Sequence, residues 1–325
     1  MNNSKRKLRW GILSTARINR RFIPALKRAA RSELVACGGR DPERTCRFAA
    51  SWGVGEAEPC CESVLDRSDI DAVYIPLPNS LHREWAVRAA RAGKHILCEK
   101  PLGVSAAEAE EMAAAAAENG VVLMEAMAYR CHPQFFRLRE LLREGAIGRI
   151  RLIRAWFRFT LPEGDNIRWS PQLGGGVLYD VGCYPVNFAL AVAGEIPETV
   201  SCVRKSGPTG VDILTAGRLE FPSGTVAQFD CSFVLPYGVG AEVVGEGGVI
   251  RLHQPWQPDT DGKGSGLVLV APDDSETLIA TPPADPYLGE IEAIETVVLD
   301  GISPPYPVEE SLATARVLEA LASSG

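Results

Sequence analysis

The first 125 residues alternate short apolar runs with helix-like stretches, and few folds accommodate that pattern. The runs are Leu8–Ser14, Leu34–Gly38, Ala72–Leu77, His95–Cys98 and Val121–Glu125. Short, continuous runs suit strands buried on both faces of a parallel sheet. The stretches between them carry helix ends. Asp41-Pro42 supplies an N-cap and a proline at the first helical position. Ser105 and Glu108 have capping-box spacing before a helix that stops at Gly120, and Glu84–Ala92 stops at Gly93. Pro24 falls inside the first helix pattern and is expected to kink or restart it. This alternation predicts a doubly wound, Rossmann-like α/β domain over residues 1–127.

The pattern changes after about residue 130. A helix over Pro133–Glu144 leads into a strand at Arg149–Phe159, and Asp180–Ala193 reads as helix. Strand-like runs follow at Thr199–Arg204, Ile213–Phe221, Thr225–Phe233, Glu242–Glu246, Val249–His253, Leu267–Val270 and Glu276–Ala280. Their short Gly, Pro and Asp-Gly links point to an antiparallel sheet. Gln254–Gly266, rich in Pro, Gly and Asp, reads as an exposed loop. Helices near Leu288–Leu299 and Glu309–Leu321 close the chain. Residues 128–325 are expected to form a second, α+β domain, a candidate for substrate binding and oligomerisation, whose C-terminal helix can pack back on the first.

Charge narrows the partners. Residues 1–32 hold ten Lys/Arg and no acid, while the whole chain carries a net charge of −7. A local phosphate site fits this better than nucleic acid. Met1–Lys7 is basic, but no apolar run follows, and no stretch of 18 apolar residues suggests a membrane span. Nine irregularly spaced cysteines, with no CxxC pair and four scattered histidines, argue against disulfides and zinc. A reducing, cytoplasmic setting is the expectation.

The first strand runs into Ser14-Thr15-Ala16-Arg17-Ile18-Asn19. A dinucleotide site needs a tight turn here, with helix N-terminal amides facing the pyrophosphate. Ser14, Ala16 and Asn19 stand where the glycine fingerprint has glycines, so an ordinary turn explains the segment equally well. Small residues still let a phosphate approach, and Ser14 or Thr15 could offer a hydroxyl. The second strand ends at Gly39-Arg40, where an NAD site usually places a carboxylate. Without that carboxylate, Arg40 can fork onto a 2′-phosphate, which favours NADP over NAD. The alternative is a surface arginine beside a helix cap.

Cys98-Glu99-Lys100-Pro101 resembles the motif of the glucose–fructose oxidoreductase/inositol dehydrogenase (Gfo/Idh/MocA) family. Trp10–Ala16, Pro78–His82, Glu125–Pro133, Ile167–Trp169 and Gly174–Pro185 are similar to segments of its aldose and dihydrodiol dehydrogenase branch. The resemblance covers residues 10–300. It implies a Rossmann domain followed by a large, open, mostly antiparallel sheet, with cofactor and substrate meeting between them. It also implies a cis peptide at Lys100-Pro101, contacts from Asn79 and Glu99 to the nicotinamide side, and a cofactor route past Pro76, Leu77 and His82.

Oxidising an alcohol carbon needs a hydride acceptor and a base for the hydroxyl proton. Tyr184 is the candidate base, with Lys100 supplying the ammonium that favours its phenolate. Asp180, four residues earlier, is a candidate to orient a substrate hydroxyl. Each has a plainer role available: a strand-end lysine, a half-buried tyrosine, a helix N-cap. His82 and His132 read as structural hydrogen-bonders. Arg130 and Arg168 could bind substrate or phosphate, or form ion pairs. Trp156, Phe159, Trp169 and Tyr287 are aromatic candidates for a sugar pocket, or simple core. The expected activity is NADP-dependent oxidation of an aldose such as D-xylose, or of a cyclic diol, by a homodimer or larger homo-oligomer. The rival readings are a non-catalytic NADP-sensing regulator and a sugar–sugar oxidoreductase that retains its NADP.

Overall fold

The computed structural model describes residues 6–259 and 265–324. Chain packing divides them into two units. One holds residues up to Gly103, then Ala107–Met127 and Tyr287–Val308; the other holds Val104–Ala106, Ala128–Pro286 and the segment from Glu309 on.

The first unit is built on six parallel strands: β1 (Leu8–Leu13), β2 (Ser32–Gly38), β3 (Glu56–Glu58), β4 (Ala72–Ile75), β5 (His95–Glu99) and β6 (Leu123–Ala126). Their order is β3-β2-β1-β4-β5-β6, so the winding reverses between β1 and β4. Leu8, Trp10, Ile12 and Leu13 of β1 are fully buried, as a central strand covered on both faces demands. Helices α1 (Asn19–Arg28), α2 (Pro42–Trp52), α3 (Cys61–Leu65), α4 (His82–Arg91) and α5 (Ala106–Glu118) connect the strands. Asp41 caps α2 as its sequence predicts, accepting from the Arg44 amide at 3.0 Å. Pro24 does not stop or restart α1, which remains one helix. A mid-helix proline costs roughly 3 kcal/mol, but Phe22, Ile23, Ala25 and Leu26 are buried around it, and their packing offsets that cost.

The second unit carries eight strands: β7 (Ile150–Thr160), β8 (Thr199–Ser206), β9 (Asp212–Glu220), β10 (Val226–Ser232), β11 (Val234–Gly245), β12 (Gly248–Leu252), β13 (Ser265–Val270) and β14 (Glu276–Thr281). Their order is β14-β13-β12-β11-β7-β10-β9-β8. Only the β7–β10 pair is parallel among the described ladders. Ile153, Ala155 and Phe157 are buried on one face of β7, and α7 (Cys183–Ala193) packs there. Helix α6 (Pro133–Arg143) precedes β7, while α8 (Pro286–Asp300) and α9 (Val308–Ser323) end the chain.

Three expectations change. Asp180–Ala193 is not a single α-helix; a π-helical turn, Leu178–Gly182, precedes α7. Strand β11 starts at Val234, eight residues before the run the sequence suggests. Pro236, Gly238 and Gly240 disguise it, and its pairing with β7 shifts between Val234 and Gly238. The stretch 254–259 is not an exposed loop throughout, because Trp256 is buried within it; residues 260–264 lie outside the described chain.

Pro171–Ala193 is long and apolar enough to cross a membrane by length and composition. Its most apolar window is 78% buried inside the unit, where it serves as core.

Candidate active site

In a doubly wound sheet, ligands bind beyond the carboxyl ends of the strands, at the reversal of strand order. Ser14 to Ile18 follow β1, Gly39 and Arg40 follow β2, and Pro76, Leu77 and Asn79 follow β4. Glu99 ends β5 and Lys100 follows it. The sheet therefore brings these candidates to one end of the first unit.

The β1–α1 turn is braced from within. Ser14 Oγ donates to the Pro76 carbonyl at 2.9 Å and accepts from the Ala16 amide at 3.0 Å. Its proton is thus directed to Pro76. Asn19 Nδ2 donates to the Ser14 carbonyl at 2.9 Å, which ties the third glycine position to the first. At the end of β2, Arg40 is exposed, and the adjacent Asp41 carboxylate is turned into the α2 cap. Arg44 Nη2 reaches the Thr15 carbonyl at 3.5 Å. Two guanidinium groups and no disengaged carboxylate at this strand end suit a 2′-phosphate. The sequence reading missed Arg44, although it stands one helical turn after Arg40.

Around Lys100 the unit is held by two buried side chains. The Lys100-Pro101 peptide is cis. His82 is fully buried, with Nδ1 2.8 Å from the Pro101 carbonyl and Nε2 2.9 Å from the Leu77 carbonyl. Packed between the loop after β4 and the loop after β5, the neutral ring donates its one N–H to one of these carbonyls, and with both nitrogens turned to the protein it has none to offer a cofactor. Burial, the larger influence, pushes the His82 pKa below the usual histidine value, while the two carbonyls pull it upward. Tyr74, also fully buried, donates its hydroxyl to Glu99 Oε1 at 2.5 Å. Burial first, then the Glu99 charge, holds its pKa well above that of a free phenol, so the proton stays on Tyr74. The other Glu99 oxygen accepts from the Lys100 amide at 3.3 Å. No sequence signal separated Tyr74 from an ordinary core residue of its strand.

In the second unit, Asp180 and Tyr184 occupy adjacent turns of the helical segment. Asp180 is 9% exposed, and Arg168 Nε donates to its Oδ2 at 2.6 Å. The glycines of Gly174–Gly176 make this possible. A Cβ on Gly175 would lie 2.5 Å from the Arg168 carbonyl, and one on Gly176 would lie 2.2 Å from Asp212 Oδ1. Asp212 is buried and accepts from the Leu178 amide at 3.0 Å, so a distant strand caps the segment that carries Asp180. Asp180 itself is not the N-cap. Tyr184 is half-buried, with its ring centroid 5.5 Å from Phe157, 5.8 Å from Trp256 and 6.2 Å from Tyr129.

The remaining candidates are dispersed. Arg130 is 2% exposed, bound to Glu310 at 2.6 Å and Asn187 at 3.3 Å, and stacked on Phe135. Trp169 is buried against Phe233, its Nε1 donating to the Pro162 carbonyl at 3.0 Å. Phe159 contacts Phe157 and Phe233 on the α7 side of β7. Trp156 alternates to the opposite face, where its ring lies over Gly240. Tyr287 belongs to the first unit, as does Lys100. Among the described residues, no group of three or more His, Cys, Asp or Glu gathers as metal ligands do.

A reversed-winding parallel sheet with a carboxylate-poor second strand end, joined in one chain to a sheet unit presenting Asp and Tyr, defines a dinucleotide-dependent oxidoreductase. Family models bear this out. Residues 8–127 match the NAD-binding Rossmann fold of the Gfo/Idh/MocA oxidoreductases, and residues 135–251 match a C-terminal domain of that family. The chain belongs to the Gfo/Idh/MocA family. It is 35% identical to a D-xylose 1-dehydrogenase (NADP(+)) of Haloferax volcanii, covering 97% of this chain and 96% of the relative. It is 36% identical to a trans-1,2-dihydrobenzene-1,2-diol dehydrogenase of Mus musculus, covering 77% and 76% of the two chains. A crystal structure of a 3-ketoreductase from Actinomadura kijaniata, in complex with NADP and TDP-benzene, superposes with a TM-score of 0.91 at 32% identity, over 98% of each chain.

Proposed function

We propose that this protein is an NADP-dependent dehydrogenase acting on an aldose, with D-xylose the first candidate, or on a cyclic diol. The observation that carries the reading is the placement of Tyr184 one turn beyond an Asp180 held by Arg168. The NADP preference rests on Arg40 and on similarity to an NADP-linked relative. When bound, the nicotinamide takes up or returns the hydride. Tyr184 handles the proton: its phenolate accepts the substrate hydroxyl proton as the carbon is oxidised, and the phenol returns it in reduction. A free phenol has a pKa of ~10, so an ammonium must favour the phenolate, and Lys100 is the residue we assign to that task. Asp180 accepts a hydrogen bond from a second substrate hydroxyl and so orients the ring. Arg168 keeps Asp180 aimed.

The test is NADPH formation by purified protein across a panel of pentoses, hexoses and dihydrodiols, with Tyr184→Phe alongside. No NADPH with any of them, and no change in the variant, would end this reading. The similarity to a 3-ketoreductase, and to a dTDP-3,4-didehydro-2,6-dideoxy-alpha-D-glucose 3-reductase, supports the reverse chemistry, with Tyr184 as the acid for a ketone on a nucleotide-linked sugar. NADPH consumption with a TDP-linked keto sugar, and none formed with free aldoses, would select it. Cofactor retained through extensive dialysis would instead favour hydride shuttling between two sugars. Tight NADP binding without turnover would favour a regulator, against which the retained Lys100 and Tyr184 argue.

A cytoplasmic setting accords with nine free cysteines. We further propose that the chain forms a homodimer through the sheet face opposite α7. That face carries a groove of about 580 Å³ lined by Arg154, Trp156, Ser201, Val203, Arg218 and Asp230. Val203 is 62% exposed there, more than an apolar strand residue usually keeps. Light scattering that returned a monomer mass would remove the dimer.

A further inference from the structure

We propose that Trp256 is a positioning residue for Tyr184, which it holds in place through ring packing; the inference rests on the acid–base reading of Tyr184. Trp256 lies in a segment whose composition reads as loop, yet it is 2% exposed. Its ring lies 5.8 Å from Tyr184, tilted by 43°. Two further rings fix Trp256 edge-on: Tyr129 at 5.5 Å and 82°, and Phe188 at 5.7 Å and 82°. Such edge-to-face contacts set orientation as well as burying area.

The segment is fastened at the ring and three residues beyond it. Trp256 Nε1 donates to the Trp156 carbonyl at 2.9 Å, which anchors it to the middle of β7. Three residues later, the Asp259 carboxylate accepts from His132 Nε2 at 3.1 Å and from the Ala284 amide at 2.8 Å. His132 Nδ1 accepts from the Gln134 amide, so the ring proton sits on Nε2 and points at Asp259. Burial, opposed by the Asp259 charge, keeps the His132 pKa below its usual value, and the contact is a hydrogen bond of the neutral ring. A tryptophan tied through its own ring nitrogen and, three residues on, through a buried carboxylate is a rigid wall. Tyr184 packs against that wall and against Phe157, 5.5 Å away. Near-attack geometry is lost when a reacting group can swing, so the wall acts on turnover more than on cofactor binding.

Two variants, Trp256→Ala and Trp256→Phe, test this. Oxidation of D-xylose with NADP+ is expected to lose roughly tenfold or more in kcat in W256A and less in W256F, because a small misplacement of a reacting group costs rate steeply. KM for NADP+ should stay within about twofold in both, the signature of a lost transition-state contact. In a Tyr184→Phe background the Trp256 change should add nothing. If W256A fails to fold, W256F keeps the core filled and carries the test. Isotope-labelled tyrosine NMR of the cofactor-free protein reads the same contact without substrate. The Tyr184 ring signal, assigned by its loss in Y184F, should shift and narrow in W256F. An unchanged Tyr184 signal, an unchanged kcat, or an additive loss in the Y184F background overturns the proposal. Full activity in Y184F removes the acid–base reading and this inference with it. Full activity in W256F beside an inactive Y184F removes this inference alone.

Discussion

Arg168 Nε stands 2.6 Å from Asp180 Oδ2, so a residue proposed to bind substrate is aimed by an arginine on a separate short turn. Arg168 is 40% exposed and Asp180 12%, measured on the side chains. A charged hydrogen bond with one partner in solvent is worth about 1–2 kcal/mol. Arg168→Gln is therefore expected to lower kcat/KM roughly five- to thirtyfold while leaving NADP affinity unchanged. Steady-state kinetics with isothermal NADP titration checks both halves. A larger rise in the NADP dissociation constant than in substrate KM would contradict it.

Arg40 is exposed at the end of β2, where Asp41 is already engaged as a helix cap. Arg40→Ala should weaken NADP binding about tenfold, because a surface guanidinium–phosphate fork is partly screened. NAD lacks the 2′-phosphate, so its affinity should stay within about twofold. Parallel fluorescence titrations with the two cofactors measure the ratio. Equal losses for both would move the 2′-phosphate role elsewhere, with Arg44 the next residue to replace.

Three histidines, His82, His95 and His132, have pKa values below the usual one, with burial the main cause in each. The unfolded chain, with values near ~6.5, then binds more protons than the folded one just below that pH. Stability is full above that reference and falls as pH drops beneath it. The loss grows by at most about 1.4 kcal/mol per pH unit for each histidine. Urea midpoints compared at about pH 7.5 and about pH 5.5, above the usual carboxylate range, should show the decline. A flat profile would mean that these rings take up protons in the fold as readily as in the unfolded chain.

Gly176 has φ +113, and a Cβ there would lie 2.2 Å from Asp212 Oδ1. Gly176→Ala combines backbone strain with a steric clash, for an expected loss of about 2–4 kcal/mol. Thermal melting should fall by several degrees, and turnover should fall further because the Asp180 turn must shift. A variant with wild-type melting would show that Asp212 can retreat without cost.

Much of this was legible in the sequence because the parallel strands are short apolar runs flanked by caps that only helices need. Asp41-Pro42 and the run Ala72–Leu77 are examples. β3 was not legible: its residues are Glu-Ala-Glu, with the first two exposed, so no periodicity survives in three residues. The π-helical turn at Leu178–Gly182 was hidden because it depends on Asp212, more than thirty residues away, and not on local propensity. Trp256 was hidden by its company of Pro, Gly and Asp, since burial there comes from rings on α7 and near α6. At the site, Tyr184, Asp180 and Lys100 stood out as chemical types. Their supports Tyr74 and Asp212 did not, because a side chain that orients another carries no motif of its own.

The first unit is not finished by its own first 127 residues, because Tyr287–Val308 returns to it. Ser32 Oγ donates to Glu295 Oε1 at 2.6 Å, Arg31 binds Asp300 at 2.8 Å, and the Tyr306 hydroxyl donates to the Glu125 carbonyl. During synthesis, the nucleotide-binding half therefore waits for nearly the whole chain to leave the ribosome before these bonds can close. A graft of this half onto another catalytic domain must carry both segments, or it will expose Ser32 and with it the Trp10 indole that donates to its hydroxyl at 2.9 Å.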